Sequence, residues 1–198
     1  MNGERMSALS ELKQKLRPGR VYRRSDLARW SKAVDRHVSK LVEEGVLVKA
    51  SGGLYMTPSK GRFGDMPADP AKLVAKFLNG DRFLMVNPNV YNSLGVGTTQ
   101  LYNEVVVYNR KRHEHCELGG LKFDFRRKMD FPKTVTPEFL LVDLFNNVKH
   151  LAEDHEEVLR RAKVSAVNMD AKALHKAAKK YGKIGTKKIV ESLLAEAA

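Results

Sequence analysis

The chain has 198 residues, a single cysteine and a formal charge of +13, from 36 lysines and arginines against 23 aspartates and glutamates. One cysteine excludes an internal disulfide framework and a cysteine-rich zinc site. Hydrophobic residues make up 42% of the chain, too many for a disordered protein, and no apolar run is long enough to span a bilayer. The N-terminal segment lacks the apolar core of a signal peptide. We therefore expect a soluble, cytoplasmic protein with a polyanionic partner.

The positive charge is concentrated towards the N-terminus. Residues 1–65 contain 14 basic and seven acidic residues, whereas residues 136–198 contain 11 and nine. The stretch 59–70 is rich in glycine, proline and polar residues, which is typical of a linker. These features predict a basic domain over residues 1–58, a linker over 59–70 and a second domain over 71–198.

The first of these domains shows a pattern of three short helices. The first is predicted by four apolar residues near one helical face, namely Met6, Leu9, Leu12 and Leu16. A short second helix follows over 26–30, with Ser25 as its N-cap. The third spans about 32–44 and should bury an apolar stripe formed by Val34, Val38, Leu41 and Val42.

A β-hairpin is predicted directly after the third helix. Residues 46–48 and 54–56 are apolar and flank the turn Ser51-Gly52-Gly53. Three short helices followed by a hairpin are typical of a winged helix-turn-helix. In such a domain the second helix of the motif enters the major groove of DNA.

Basic and polar side chains occupy the outer face and flank of the third helix: Lys32, Arg36, His37, Ser39 and Lys40. Arg36 can form two hydrogen bonds with a guanine edge, while Ser39 or His37 can contact a neighbouring base. The two lysines suit phosphate contacts, which position the protein without specifying sequence.

Further candidates for DNA contact precede and follow the second and third helices along the chain. They are Arg20, Arg23 and Arg24 before the second helix, and Lys49 and Ser51 in the wing. The alternative interpretation is a solvated basic helix in a small domain that is used for protein contacts.

The second domain is predicted to be α+β. A helix over 71–78 precedes strands at 104–108 and 121–125, which a hairpin connects. A helix over 138–150 follows, and further helices are expected after Glu153, Asp170 and Thr186. The prediction is a small antiparallel sheet followed by a C-terminal helical cluster.

Lysines recur at helical spacing after Asp170. The set comprises Lys172, Lys176, Lys179, Lys180 and Lys183, and then Lys187 and Lys188 at the start of the last helix. This pattern fits either a solvated face or a second binding surface for a DNA backbone or an acidic partner protein.

No catalytic arrangement is recognisable, and we expect neither enzyme activity, nor a cofactor, nor a metal. The best metal candidates are His113, His115 and Cys116, because the two histidines would share one face of a strand. Further ligands cannot be identified, and the segment equally fits an exposed polar strand.

The run SDLARWSKAVDRHVSKLVEEGVLVKASGGLYMTP, followed by KGRFGD, NSLGVGTTQ and FLLVDLFNNV, resembles the AbiEi-type antitoxins over nearly the whole chain. The resemblance implies a bacterial type IV toxin–antitoxin system, a class associated with phage defence, with a nucleotidyltransferase-like toxin as partner. It also implies that the winged helix represses its own operon at promoter inverted repeats, and that the C-terminal domain neutralises the toxin.

Two alternatives to an antitoxin stay open. One is a stand-alone winged-helix transcriptional regulator whose C-terminal domain senses a ligand or oligomerises. The other is an enzyme that acts on the toxin.

Overall fold

The computed structural model describes residues 7–62, 64–96 and 102–196, so Met6 of the predicted first helix lies outside the described residues. The protein is a mixed α+β chain with small sheets and a C-terminal helical cluster, as predicted. It divides into two compact units: unit 1 comprises residues 1–82 and 115–123, and unit 2 comprises residues 83–114 and 124–198. Among the described residues, no helix combines the length and the apolar character needed to cross a bilayer.

Four helices of unit 1 are α1 (Ala8–Lys15), α2 (Arg24–Ala28), α3 (Val34–Glu43) and α4 (Pro70–Phe77). Its short strands are β1 (Val21–Arg23), β2 (Val48–Ser51), β3 (Leu54–Met56), β4 (Ser59–Gly61) and β5 (Gly64–Met66). The predicted linker over 59–70 differs from this structure, because it contains the paired strands β4 and β5 and the start of α4. It lies inside unit 1, where α4 packs against β1.

The predicted hairpin is confirmed, with β2 and β3 joined by a Gly52-Gly53 turn. Gly53 has a φ of +68°, a conformation that favours glycine. The sequence analysis missed β1, which pairs antiparallel with β3 from Val21 opposite Met56. The resulting sheet has the strand order β1-β3-β2.

The core of unit 1 joins the first three helices to this sheet. Leu12 of α1, Leu27 of α2 and Leu47, which precedes β2, are almost completely buried and belong to one cluster. Three members of the predicted α3 stripe, Val34, Val38 and Leu41, are buried in the same cluster.

The prediction that Val42 is buried was wrong, since this residue is 37% exposed. Its place in the buried face is taken by His37, which is 6% exposed. Each residue of a helix is rotated by about 100° about the helix axis from the one before it. The middle of the buried face therefore points midway between the side chains of His37 and Val38, and Val42 lies at the edge of this face.

Unit 2 is built around one buried helix, α5 (Pro137–Asn147), in which every residue from Phe139 to Asn147 is buried. Its other helices are α6 (His155–Val167), α7 (Ala171–Tyr181) and α8 (Ile184–Glu196), with 3-10 turns at Pro88–Leu94 and Val148–His150. The remaining strands among the described residues are β6 (Phe83–Val86), β7 (Glu104–Asn109), β8 (Glu114–Leu118) and β9 (Leu121–Arg127), in the order β6-β7-β9-β8.

Side-chain caps mark where the helices of unit 2 begin. Thr136 accepts a hydrogen bond from the Phe139 amide at the start of α5, and Asp170 accepts one from the Ala173 amide at the start of α7. Both helices therefore begin close to their predicted positions, because side-chain caps satisfy otherwise unpaired amides. In contrast, α8 begins at Ile184, before the predicted Thr186.

The two residues Leu41 and Val42 allow a matched test of this packing. Leu41→Ala should lower the free energy of unfolding by about 2–5 kcal/mol, because it leaves a cavity in the core. Val42→Ala should lower it by less than about 1 kcal/mol, because much of this side chain is already in water. Chemical denaturation of both variants measures the difference, and equal losses would contradict the observed orientation of α3.

Candidate nucleic-acid interface

The outward face of α3 carries exposed basic and polar side chains. Arg36, Ser39 and Lys40 are all exposed on the helix, and Lys32 is exposed just before its first turn. They lie opposite the buried residues Val34, Val38 and Leu41, as predicted. Burial of that apolar stripe thus determines which side chains α3 presents to solvent.

Three of these cations line one groove. Lys32, Arg36 and Lys40 stand beside Trp30 and the beginning of α1 around a cavity of about 630 Å³. Within the described part of the chain, none of the three forms an ion pair. By contrast, Lys13 of α1 pairs with Glu44 at 2.9 Å. One acidic residue, Glu11 of α1, also lines the groove but forms no ion pair with these cations, so the groove has an excess of positive charge.

His37, which was predicted to contact a base, lines the groove but has only 6% of its surface exposed. Its side chain is buried, with Nδ1 lying 2.7 Å from the Ser31 hydroxyl. Ser31 is itself 6% exposed, so the pair ties the turn before α3 to the helix. His37 thus links this turn to α3 and also lies in the lining of the groove.

Arg23 was also a candidate for DNA contact, but its guanidinium is already bonded within the protein. Nε donates to the Lys76 carbonyl at 2.6 Å, and Nη2 donates to the Phe77 carbonyl at 2.8 Å. These are among the last carbonyls of α4, which lack the regular i+4 amide partner of the helix interior. Arg23 thus anchors the end of α4 and is removed from the candidate interface.

Arg24 forms a two-pronged ion pair with Asp35 of α3. Its Nε and Nη2 donate to the two carboxylate oxygens at 2.7 and 2.6 Å. The hydrogen bond from Arg24 lowers the pKa of the Asp35 carboxyl, and its charge adds to this effect. The sequence analysis missed this pair, because 11 residues separate its members and no local spacing connects them.

A second ion pair holds α2 to α4. Lys76 Nζ donates to Asp26 at 2.9 Å, and the Arg23 amide donates to the same carboxylate at 3.0 Å. Burial opposes ionisation of Asp26, but these two hydrogen bonds outweigh it and lower its pKa.

The predicted wing residues lie on β2. Lys49 is exposed, and Ser51 is half-buried at the turn of the hairpin. Arg24 joins this turn to α2, because its backbone amide donates to the Gly53 carbonyl at 2.8 Å. Neither wing residue lines the groove beside α3.

The C-terminal lysines fall into two groups. Lys172, Lys176, Lys179 and Lys180 are exposed on α7, while Lys188 is exposed and Lys187 half-buried on α8. Lys183 lies beyond the end of α7 and differs from the predicted helical face. Its Nζ donates to the Asn146 carbonyl at 2.8 Å near the end of α5.

The candidate metal ligands lie on and beside β8. His113 and His115 are exposed, and Cys116 is half-buried.

A buried carboxylate occupies the centre of unit 2, which sequence reasoning also missed. Asp143 of α5 is 1% exposed and accepts hydrogen bonds from the Tyr91 and Tyr108 hydroxyls at 2.8 and 2.6 Å. Lys128 Nζ lies 3.6 Å from the same carboxylate and 3.9 Å from the centre of the Tyr108 ring. Asn147 donates to the Tyr108 hydroxyl at 3.0 Å.

The electrostatics of this cluster keep the two tyrosines protonated. Burial raises the pKa of Tyr91 and of Tyr108, and the charge of Asp143 raises both further. Burial lowers the pKa of Lys128, although the attraction to Asp143 opposes this change. The hydroxyls therefore act as hydrogen-bond donors, and the cluster connects α5 to β7 and to the 3-10 turn at Pro88–Leu94.

Removal of the buried carboxylate should destabilise unit 2. Asp143→Ala leaves two buried hydroxyls and one half-buried ammonium group without their acceptor, so we expect a loss of about 3 kcal/mol or more. Asp130→Ala, at an exposed aspartate of the same unit, serves as the control and should change stability by less than about 0.5 kcal/mol. Urea denaturation measures both losses. An Asp143→Ala variant with unchanged free energy of unfolding would show that the cluster does not stabilise unit 2.

Comparisons with known proteins show similarity of fold alone. No protein-family model matches the chain, and no curated protein matches it. Among solved structures, the chain is similar to the Rv2827c protein from Mycobacterium tuberculosis, with a TM-score of 0.58 and 14% sequence identity. The match covers 96% of this chain and 75% of the mycobacterial one. The two proteins thus share an architecture along nearly all of the present chain.

Proposed function

We propose that the first part of unit 1 is a winged helix-turn-helix that binds duplex DNA. The order α1, β1, α2, α3, β2, β3 and the sheet order β1-β3-β2 support this assignment. In such a domain α3 is the recognition helix, and the hairpin of β2 and β3 is the wing.

The observation that carries this proposal is the unpaired positive charge beside α3. Lys32, Arg36 and Lys40 line one groove and form no ion pair among the described residues, and Glu11 is an acidic residue in the same lining. Like charges placed close together repel one another and do not stabilise the folded chain. A phosphate backbone would supply the missing negative charge.

The residues proposed to meet DNA then divide into base contacts and phosphate contacts. Arg36 contacts a guanine edge in the major groove and Ser39 a neighbouring base. Lys32 and Lys40 contact phosphates, as do Lys49 and Ser51 from the wing. Arg24 forms an ion pair with Asp35, which offsets the negative charge of this carboxylate beside the surface proposed to meet DNA.

The resemblance to AbiEi-type antitoxins extends this proposal to a biological role. The protein is then a cytoplasmic bacterial antitoxin and autorepressor, which binds inverted repeats in its own promoter. Its partner is a nucleotidyltransferase-like toxin, and neutralisation of that toxin belongs to unit 2. The buried core around α5 gives this unit an internal framework of its own.

DNA binding should depend steeply on salt. We expect log affinity for a duplex from the region upstream of the gene to fall with log salt concentration, by about 0.9 for each phosphate contacted. Arg36→Ala should reduce the free energy of binding to the preferred sequence by about 1–3 kcal/mol and make the protein less selective for that sequence. Lys40→Ala should instead weaken binding to all sequences alike. Fluorescence anisotropy titrations at several salt concentrations measure both effects.

Lys163→Ala is a matched control for these titrations, because Lys163 is exposed on α6 and lies outside the proposed interface. The Lys163→Ala variant should bind the duplex with the same affinity and salt dependence as the unaltered chain. A flat salt dependence of the unaltered chain would contradict DNA binding through exposed cations.

The antitoxin role predicts that DNA binding and toxin neutralisation can be separated. In cells that express a neighbouring nucleotidyltransferase-like gene, the chain with both Arg36→Ala and Lys40→Ala should still restore growth, although it no longer represses the promoter. Growth curves and a promoter reporter measure the two activities. Failure of the unaltered chain to restore growth, with repression retained, would favour the stand-alone regulator.

A further inference from the structure

The second basic surface lies on α7 and the first turns of α8. We define the α7–α8 basic surface as Lys172, Lys176, Lys179, Lys180, Lys187 and Lys188. The opposite side of α7 buries Leu174, Ala177 and Ala178 in the core of unit 2. Packing therefore directs the four lysines of α7 towards solvent, and five of the six residues are exposed.

These lysines have no neutralising partners among the described residues. None of the six forms an ion pair there. Asp170 accepts a hydrogen bond from the Ala173 amide, so its carboxylate caps the helix. On α6, in contrast, Glu157 pairs with both Arg160 and Arg161.

The arrangement opposes the stability of the helices that carry it. Lysines four residues apart repel one another along α7. Lys187 lies at the end of the first turn of α8, where the positive end of the helix dipole disfavours cations. A polyanionic ligand would offset this repulsion.

A groove between the two helices lies within the same surface. It has a volume of about 250 Å³, and its basic lining consists of His175 and Lys179 from α7 and Lys187 from α8. Ala178 and Val190 form its apolar floor. One acidic residue, Glu191, also lines it, so the groove has an excess of positive charge.

We propose that the α7–α8 basic surface binds the sugar-phosphate backbone of duplex DNA without reading its sequence. Lysine is a compact point charge on a flexible stem, which suits phosphate contacts. Positions four residues apart on a helix are separated by about 6 Å along its axis, so several phosphates can be contacted along one helix. This second contact does not depend on base reading by α3.

The composition of the surface favours DNA over an acidic protein. Protein interfaces depend on clusters of buried aromatic and apolar anchors with few charges at their centre. The described residues of α7 expose no large apolar side chain, and Ile184 at the start of α8 is a single exposed one.

Single-stranded nucleic acid is also disfavoured. The bases of a single strand stack on exposed aromatic rings. Tyr181 of α7 is half-buried, and its ring packs edge-on against the ring of Phe139, with 5.3 Å between the ring centres. A duplex presents phosphates without requiring a stacking platform.

The test compares the full chain with a variant that carries Lys172→Gln, Lys176→Gln, Lys179→Gln and Lys180→Gln. Glutamine keeps a high helix propensity, and circular dichroism confirms that both proteins are folded. We expect affinity for a random-sequence DNA duplex to fall on the order of tenfold or more at low salt. The slope of log affinity against log salt should become less negative by about 0.9 for each lost phosphate contact.

Two control variants isolate the effect of this charge. Replacement of the same four lysines by arginine should retain random-duplex binding, because the charge is kept. Lys149→Gln with Lys163→Gln, at exposed lysines elsewhere in unit 2, should change neither affinity nor slope. A glutamine variant with unaltered affinity and slope would overturn the proposal.

Competition experiments distinguish the other polyanions. Tighter binding of an RNA duplex of equal length, or a lysine-dependent preference for polyglutamate over DNA, would also overturn the assignment to DNA. Failure of the α3 proposal would be seen separately, since Arg36→Ala would then leave preference for the upstream sequence unchanged while the glutamine variant still loses random-duplex binding.

Discussion

The rotation of α3 about its own axis is the constraint on which the proposed DNA contacts depend. Val34, Val38 and Leu41 are buried on one side of the helix together with His37. Because each residue is rotated by about 100° from the last, burial of these four positions directs Arg36 and Lys40 outwards. The hydrogen-bonding contact between His37 and Ser31 also restrains the rotation of α3. Apolar packing alone would not supply such a directional contact.

Unit 2 is organised by a different interaction, which is the burial of a charged residue in the central helix. Asp143 can lie in the core because two tyrosine hydroxyls donate to it and Lys128 stands nearby. A buried carboxylate without such partners would carry a large desolvation cost. These bonds join residues that are 35 and 52 positions apart, so the cluster aligns α5 with segments distant in sequence.

The distribution of carboxylates distinguishes the two proposed binding surfaces from ordinary solvated faces. On α6, hydrogen bonds from Arg160 and then from Arg161 lower the pKa of Glu157 to about 2, so this carboxylate stays ionised and paired with both arginines. Near α3 and on α7, the acidic side chains Asp35 and Asp170 are instead held by Arg24 and by a helix amide. The remaining cations are left free to meet phosphates.

The sequence by itself determined the order of the helices, the hairpin after α3 and the lysine spacing of α7. These features depend on periodicity, caps and turns, which act over a few residues. It also identified Lys32, Arg36, Ser39 and Lys40 as outward-facing, because they lie opposite an apolar stripe on the same helix.

Only the tertiary structure decided that His37 turns inward, that Arg23 bonds to carbonyls of α4, and that Asp143 is buried among tyrosines. It likewise revealed β1, whose three residues are too short a segment to be recognised without their partner strand. Long-range partners are the physical reason for each difference. A polar side chain can point to solvent or to the core with the same local spacing, and the donor or acceptor that it meets there decides between the two.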